Sequence, residues 1–155
     1  MGDKERKYFT DAYDSNWVAP IGPNVDAFEH QMADYLEMHS ACALSSGTAA
    51  LHLALRILGV GQGDVVLCPS LTFAASANVI LFEKAQPIFI DSDPKTWVID
   101  LALCEKAMQR YKPKALISVD LYGQSCDYDL ITFLCEKYDI ILIEDAAESM
   151  GSKYK

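Results

Sequence analysis

Short apolar runs alternate with longer helical patterns along most of this chain, and this alternation limits the possible folds more than any other feature. The runs have the composition of buried strands, and helical patterns lie between them. Such alternation is typical of βαβ units, in which helices cover both faces of a mostly parallel sheet. We therefore predict an α/β fold with three αβα layers. The predicted strands are 42–44, 65–68, 88–90, 115–119 and 140–143.

The helical patterns carry start and stop signals. The stretch 48–58 is almost wholly apolar and stops at Gly59, which predicts a buried helix that ends at a glycine. Asp100 can cap a helix over 101–110 by accepting hydrogen bonds from its first N–H groups. The other predicted helices are 25–39, which is amphipathic, 74–83 and 129–137.

The composition excludes several classes of protein. The 155 residues carry a net charge of −9, whereas nucleic-acid-binding surfaces are basic. The five cysteines form no C-x-x-C pair, so neither a disulfide framework nor a metal site is expected. The N-terminus is polar, and the longest uncharged run, 65–82, contains Pro69 and several polar residues. We expect a soluble, cytoplasmic protein with no nucleic-acid or membrane partner.

Small, polar, acidic and aromatic residues follow the predicted strands. In a parallel sheet, ligands bind beyond the carboxyl ends of the strands, so these segments are the candidates for chemistry. A second glycine-rich stretch, "GVGQG" at 59–63, follows a helix and precedes a strand, which is the wrong order for a nicotinamide-binding fingerprint. The candidate segments are "SSGT" (45–48), "PSLTF" (69–73), "DSD" (91–93), "DLYGQ" (120–124) and "EDAAES" (144–149).

Each candidate has a functional and a structural interpretation. Gly47 and Thr48 begin a helix, where backbone N–H groups can bind an anion, although Ser46 or Thr48 could simply cap that helix. Phe73 could stack on a flat ring, or it could pack into the core. Asp145 could pair with a cation such as a protonated pyridine nitrogen, or it could form a capping box with Glu148.

The functional interpretations converge on one ligand. A phosphate at the start of the helix, a flat ring on Phe73 and a ring nitrogen at Asp145 together describe pyridoxal phosphate. Tyr122 and Gly123 either form a wall of the same pocket or make an ordinary turn after a strand.

Several stretches of the chain resemble the DegT/DnrJ/EryC1/StrS family of fold-type I, pyridoxal-phosphate-dependent sugar aminotransferases. As an ordered set they are specific, and they extend from about residue 16 to the last residue. The stretches are "NWVAPIGPNVDAFE" (16–29), "SSGTAALHLAL" (45–55), "GDVVLCPSLTFAASANVI" (63–80), "PIFIDSDPKTWVID" (87–100), "DLYGQSCDYD" (120–129) and "IEDAAESMGSKYK" (143–155).

The resemblance implies a role for each site residue. Gly47 and Thr48 would hold the cofactor phosphate, and Phe73 would stack on its ring. Asp145 would keep the pyridine nitrogen protonated, so that the ring can accept electrons. Glu148 would lie near the ring hydroxyl, where many family members have Gln or His.

Two further residues are implied to contact the substrate. They are Tyr122 and Asp120, the latter at a position where family members often carry His. The family reaction transfers an amino group, usually from glutamate, to a keto group of a nucleotide-linked sugar. Such sugars enter cell-surface polysaccharides and glycans.

The family likeness also implies that this chain is incomplete as an enzyme. The catalytic lysine, which forms a Schiff base with the cofactor, is expected beyond Lys155, so no catalytic residue is assigned and the chain alone should be inactive. We expect residues 1–24 to form an N-terminal segment and 25–155 to form part of the large domain. The rest of that domain and a small C-terminal domain would lie elsewhere, and the partner would be a second copy in a homodimer.

Two alternatives remain open from the sequence. The first is a non-catalytic binding or assembly module that keeps the same fold, which weak or absent cofactor binding would favour. The second is a pyridoxal-phosphate-dependent sugar dehydratase of the same family, in which His replaces the catalytic lysine.

Overall fold

The computed structural model describes residues 2–155. Packing divides the chain into two compact units, Met1–Leu44 and Ser45–Lys155. The division of the chain into an N-terminal segment, 1–24, and part of a large domain, 25–155, stays a prediction. Within the described residues, no helix is both long enough and apolar enough to cross a membrane.

The first unit contains two helices, α1 (Asp3–Asp14) and α2 (Pro23–Tyr35). The sequence pattern missed α1, which is largely polar and buries none of its residues. The helix expected over 25–39 is shorter than predicted. It begins at a proline, whose fixed φ suits the first helical turn, and it ends at Tyr35 before a turn.

Gly22 is required by the geometry in front of α2. Its φ is +132°, and a Cβ there would clash with the Trp17 indole ring. The same indole nitrogen donates a hydrogen bond to the Ile21 carbonyl at 2.7 Å. A side chain at position 22 would therefore displace the tryptophan that closes this turn.

The second unit is built around a four-stranded parallel sheet in the order β2-β1-β3-β4. This arrangement confirms the predicted α/β fold and the four strands expected after residue 60. The strands are β1 (Val65–Pro69), β2 (Gln86–Ile90), β3 (Ala115–Val119) and β4 (Ile141–Asp145). The helices are α3 (Gly47–Ile57), α4 (Ala75–Phe82), α5 (Leu101–Tyr111) and α6 (Tyr128–Tyr138), with a short 3-10 turn at Leu121–Gly123.

Two cores cover the two faces of the sheet. Neighbouring residues of β1 point to opposite faces, so Val66 packs with α3 and α4, whereas Leu67 packs with α5 and α6. Leu55 and Met108, from α3 and α5, are almost fully buried in the two respective cores. These two layers of helices around one sheet confirm the predicted three-layer architecture.

The order of the strands follows from the handedness of their connections. The β1-α4-β2 connection moves toward one edge of the sheet, whereas the β2-α5-β3 connection moves back toward the other edge, and their helices lie on opposite faces. Because crossovers between parallel strands are right-handed, a connection that moves the opposite way across the sheet must place its helix on the opposite face. The chain therefore leaves β1 and β3 in opposite directions, and the carboxyl ends of these strands flank a point where strand order reverses.

Two expectations for residues 42–58 are wrong. Residues 42–44 form no strand, because the Ala43 N–H donates to the Glu29 carboxylate at 2.7 Å and makes no sheet hydrogen bond. Helix α3 is buried on one face only, and Ile57 is 75% exposed. The helix does end as predicted, since Gly59 follows it with a φ of +67°.

Candidate cofactor site

The candidate residues lie at the carboxyl edge of the parallel sheet. The loop after β1 carries Phe73, the turn after β3 carries Tyr122, and β4 ends at Asp145. The Asp120 N–H donates to the Asp145 carbonyl at 3.2 Å, which joins the ends of β3 and β4. Because strand order reverses between β1 and β3, this edge is where open α/β sheets bind their ligands.

Asp145 is a half-buried carboxylate held by two donors. Its Oδ2 atom accepts a hydrogen bond from the Ser76 hydroxyl at 3.4 Å, and its Oδ1 atom accepts one from the Ala147 N–H at 3.3 Å. Within residues 2–155, no basic side chain forms a salt bridge with this carboxylate. The capping-box alternative is wrong, because no helix begins in 146–155 and Glu148 binds elsewhere.

Ser76 is a site residue that sequence reasoning missed. It lies in α4 and is fully buried, and its hydroxyl also shares a hydrogen bond of 3.0 Å with the Thr72 hydroxyl. A line of hydroxyl groups thus connects the start of α4 to the end of β4. The available signal was a serine in a mostly apolar helix, where a buried hydroxyl needs a hydrogen-bonding partner.

Phe73 lies in the turn that leads into α4 and is 76% exposed, so the core-packing alternative is wrong. Its carbonyl accepts a hydrogen bond from the Ser76 N–H at 3.2 Å. Since Ser76 also contacts Asp145, hydrogen bonds to this one serine hold both the backbone of Phe73 and the carboxylate in place.

Helix α3 presents its N-terminus toward the same edge, because α3 packs on β4 and its other end leads into β1. Ser46 caps the helix by accepting the Ala49 N–H at 3.1 Å, which confirms the capping alternative for that residue. Gly47 and Thr48 are left to offer N–H groups beyond the cap. A Cβ at Gly47 would meet nothing within 4 Å, so the fold itself does not demand glycine there.

Tyr122 and Glu148 meet directly. The Tyr122 N–H donates to the Glu148 Oε2 atom at 2.6 Å, and the Tyr122 side chain is 79% exposed. Tyr122 has a φ of +53°, and Gly123 follows with a φ of +84°. Two successive left-handed residues make a sharp turn that turns the tyrosine side chain outward.

Asp120 lies beneath this turn and is only 3% exposed. Its Oδ1 atom accepts hydrogen bonds from the Cys126 N–H at 3.0 Å and the Tyr128 hydroxyl at 2.9 Å. Its Oδ2 atom accepts one from the Ser149 hydroxyl at 3.2 Å. The substrate contact expected for Asp120 stays a prediction, and these contacts do not favour it, since both carboxylate oxygens are already bound inside the protein.

The comparisons with known proteins agree with this geometry. The sequence profile of the DegT/DnrJ/EryC1/StrS aminotransferase family matches residues 1–155. The putative pyridoxal phosphate-dependent aminotransferase EpsN of Bacillus subtilis is 51% identical over 160 residues, covering 100% of this chain and 41% of EpsN. The GDP-perosamine synthase of Caulobacter vibrioides is 42% identical over 155 residues, covering 100% of this chain and 42% of the synthase.

A solved structure gives the same result. A putative sugar aminotransferase from Streptococcus pneumoniae, in its PMP form, has a TM-score of 0.88 to this chain and 31% sequence identity. The similarity covers 95% of this chain and 40% of the pneumococcal chain.

Pyridoxal phosphate is the cofactor that these relatives indicate. The residues present fit this group. The exposed start of α3 can bind a phosphate, the exposed Phe73 ring can stack on a flat ring, and the Asp145 carboxylate has no cation partner among the described residues.

The chain spans about two fifths of the length of the relatives that it matches. The profile match nevertheless extends over the whole chain, and the fold agrees with the solved relative. The chain belongs to the DegT/DnrJ/EryC1/StrS aminotransferase family.

Proposed function

We propose that the protein containing this chain transfers an amino group to a keto group of a nucleotide-linked sugar. The observation that carries the proposal is Asp145, a half-buried carboxylate at a strand end that is held by Ser76 and has no cation partner among residues 2–155. A carboxylate in this position needs a positive partner, and a protonated pyridine ring supplies one.

Five residues of this chain would hold the cofactor. Gly47 and Thr48 bind its phosphate through the first N–H groups of α3, Phe73 covers one face of the ring, and Asp145 binds the ring nitrogen. Glu148 lies near the ring hydroxyl while its carboxylate also binds the Tyr122 N–H. The bound cofactor supplies an electron sink for breaking bonds to the amino-bearing carbon.

The substrates are proposed from the relatives and from the chemistry of this edge. One relative is named a GDP-perosamine synthase, which supports a nucleotide-linked amino sugar as product. Glutamate is the proposed amino donor. Tyr122, with its exposed side chain beside the cofactor residues, is the proposed substrate contact in this chain.

The catalytic lysine is proposed to lie outside this chain. Lys155 forms a salt bridge with Asp129 on the outer side of α6, and Lys153 is exposed. Borohydride reduction of the 155-residue chain mixed with pyridoxal phosphate should therefore give scattered, substoichiometric labelling. A stoichiometric adduct on Lys153 or Lys155 would contradict this assignment.

A titration tests the cofactor site. Asp145→Asn in the intact protein should weaken pyridoxal phosphate binding about tenfold or more, while the unfolding midpoint changes little. Asp139→Asn is the matched control, because it removes one carboxylate at the opposite end of β4, where a left-handed residue tolerates asparagine. Equal losses of binding and stability in Asp145→Asn would contradict the proposal.

A second assay tests the reaction itself. The intact protein should transfer ¹⁵N from labelled glutamate to a nucleotide-linked keto sugar, which mass spectrometry detects as an isotopically labelled amino sugar. Loss of water from the sugar without incorporation of ¹⁵N would instead support the dehydratase alternative. Cofactor binding that is too weak to measure, with no conversion of sugar, would support the binding module.

A further inference from the structure

Among residues 2–155, Asp120 is the only charged residue that the fold buries. Burying an ionised carboxylate is unfavourable unless donors satisfy it. The fold supplies three donors from two segments, namely the Cys126 N–H and the Tyr128 hydroxyl at the start of α6 and the Ser149 hydroxyl after β4. Such a group holds segments in place, because each of its hydrogen bonds fixes a different part of the backbone.

The three donors are a backbone amide and two hydroxyl groups, all of which carry their protons at neutral pH. Burial, and then the negative charges of Asp120 and Glu144, raise the pKa of the Tyr128 hydroxyl above its ordinary value. The Tyr128 hydroxyl therefore remains a donor to the Asp120 carboxylate.

The third donor completes a closed circuit through the candidate site. Ser149, which binds Asp120, directly follows Glu148, and Glu148 accepts the Tyr122 N–H at 2.6 Å. Tyr122 lies two residues after Asp120 in the chain. The circuit thus consists of two hydrogen bonds and two short stretches of backbone, and it fastens the turn after β3 to the segment after β4.

Tyr122 has a backbone conformation that needs stabilising contacts. Its φ of +53° and ψ of 29° lie in the left-handed region, which is unfavourable for a tyrosine. A strained residue keeps this conformation only when surrounding contacts determine it. The Glu148 carboxylate supplies the contact to Tyr122, and Asp120 fixes the segment from which Glu148 projects.

We propose that Asp120 is a positioning residue, whose buried carboxylate holds Ser149 and thereby aims Glu148 at the Tyr122 backbone, so that the tyrosine side chain points into the substrate side of the site. The family resemblance implies that Asp120 touches the substrate, whereas this geometry gives it an indirect role. This proposal rests on the proposed function in one respect only, which is that the Tyr122 side chain contacts the substrate.

The test is amide hydrogen exchange in the intact protein without added cofactor. Asp120→Ala should speed exchange of the Tyr122 amide about tenfold or more relative to amides in the middle of β3. Ser149→Ala should speed it in the same direction, because it cuts the same circuit at one hydrogen bond. Asp120→Asn should restore most of the protection, since asparagine keeps one acceptor oxygen and offers its amide to the Ser149 hydroxyl.

Asp127→Ala is the matched control. Asp127 caps α6 by accepting the Leu130 N–H at 3.2 Å and lies near the cluster, but it makes no bond to Ser149 or Glu148. This variant should destabilise α6 and leave the Tyr122 amide within about twofold of the wild type, because its loss opens a different local region.

Two results would overturn the proposal. One is unchanged Tyr122 exchange in both Asp120→Ala and Ser149→Ala. The other is equal acceleration in Asp127→Ala, which would mean that Asp120 supports the fold in general. If Asp120→Ala does not fold, Ser149→Ala alone decides. Since no cofactor is present, failure here is distinct from failure of the cofactor assignment.

Discussion

At the scale of single residues, the candidate site depends on polar side chains that hydrogen-bond to one another where the fold shields them from solvent. Ser76 lies inside an apolar helix and is tolerated because its hydroxyl binds both Thr72 and Asp145. The Ser76 contact restricts the rotation of the Asp145 carboxylate at the strand end. We propose that this restriction prepares the carboxylate to bind a pyridine nitrogen.

Ser76→Ala should weaken pyridoxal phosphate binding about fivefold, the equivalent of one hydrogen bond of about 1 kcal/mol. The unfolding midpoint should change little, because alanine favours the helix and the lost serine was itself a buried polar group. A cofactor titration and a thermal melt measure the two effects. Ser118→Ala, which removes another fully buried serine that does not touch Asp145, is the control. Equal affinities in the two variants would refute the role of Ser76.

Glu144 gives a prediction about pH. Partial burial, and then the negative charge of Asp120, raise the pKa of Glu144 above its ordinary value of 4.5. The folded state therefore binds more protons than the unfolded state between 4.5 and the raised pKa, so stability falls as pH rises through that window. The loss of stability that results from ionising Glu144 in the folded protein persists at higher pH. Asp120 and Tyr128 are the polar groups that lie beside this carboxyl.

Glu144→Gln should therefore raise the free energy of unfolding at neutral pH, and the gain should disappear as the pH falls below 4.5. Urea unfolding at a series of pH values measures this difference. Glu136→Gln, an exposed substitution on α6, controls for the loss of one negative charge. A gain that is the same at every pH would show that the carboxyl is not coupled to Asp120.

The sequence allowed individual candidate residues to be proposed, but it did not predict what surrounds them. Asp145 and Phe73 could be proposed because they follow predicted strands, where ligands bind. The hydrogen bond from Ser76 to Asp145 and the buried state of Asp120 could not, because the sequence does not show which distant segment packs against either residue. Burial depends on contacts between segments far apart in the chain, such as Asp120 with Ser149.

At the scale of elements, the N-terminus of α3 offers free N–H groups and open space that a ligand can occupy. Ser46 satisfies one of the first N–H groups, and Gly47 leaves open space in front of the others. The fold places no neighbour within 4 Å of the position that a Gly47 side chain would occupy. The space is therefore available to a ligand, and a phosphate at a helix N-terminus fits it.

Gly47→Ala should keep or slightly raise stability, by at most about 1 kcal/mol, while it weakens pyridoxal phosphate binding about tenfold. The added methyl group would stand where the phosphate must approach the backbone. Ser46→Ala should behave in the opposite way and lose about 1 kcal/mol of stability with the cap. Calorimetry and a cofactor titration separate the two, and unchanged affinity in Gly47→Ala would contradict a phosphate site at α3.

The elements themselves were predictable where local pattern and tertiary structure agree. Strands β1, β2, β3 and β4 are short apolar runs between helices, and their existence followed from that rhythm. The run at 42–44 has the same composition but lacks a neighbouring strand to pair with, and its backbone binds Glu29. Strand order was not predictable from composition, because it depends on which crossovers pass over which face.

At the scale of the whole molecule, the described surface carries more apolar area than a solvated face needs. The outer sides of α3 and α4 expose large side chains, among them Leu53, Ile57, Leu81 and Phe82. Strands β2 and β4 are the outer strands of the sheet formed by residues 2–155. In the complete protein, we propose that the remaining domain and a second copy cover such surfaces.

The 155-residue chain alone should therefore self-associate as its concentration rises, because exposed apolar patches and open strand edges favour contact. Sedimentation analysis over a range of concentrations measures the effect. Ile57→Lys should reduce the association, whereas Thr10→Lys, which adds the same charge to the exposed polar helix α1, serves as the control. A chain that remains monomeric at all concentrations would contradict this prediction.

We propose that Asp145 pairs with the ring nitrogen of pyridoxal phosphate. A decisive test compares two ligands, pyridoxal phosphate and an analogue in which CH replaces the ring nitrogen, in the wild-type intact protein and in Asp145→Asn. We expect the substitution to weaken binding of the natural cofactor about tenfold or more and to leave binding of the analogue nearly unchanged. The same loss of affinity for both ligands would show that Asp145 does not recognise the ring nitrogen.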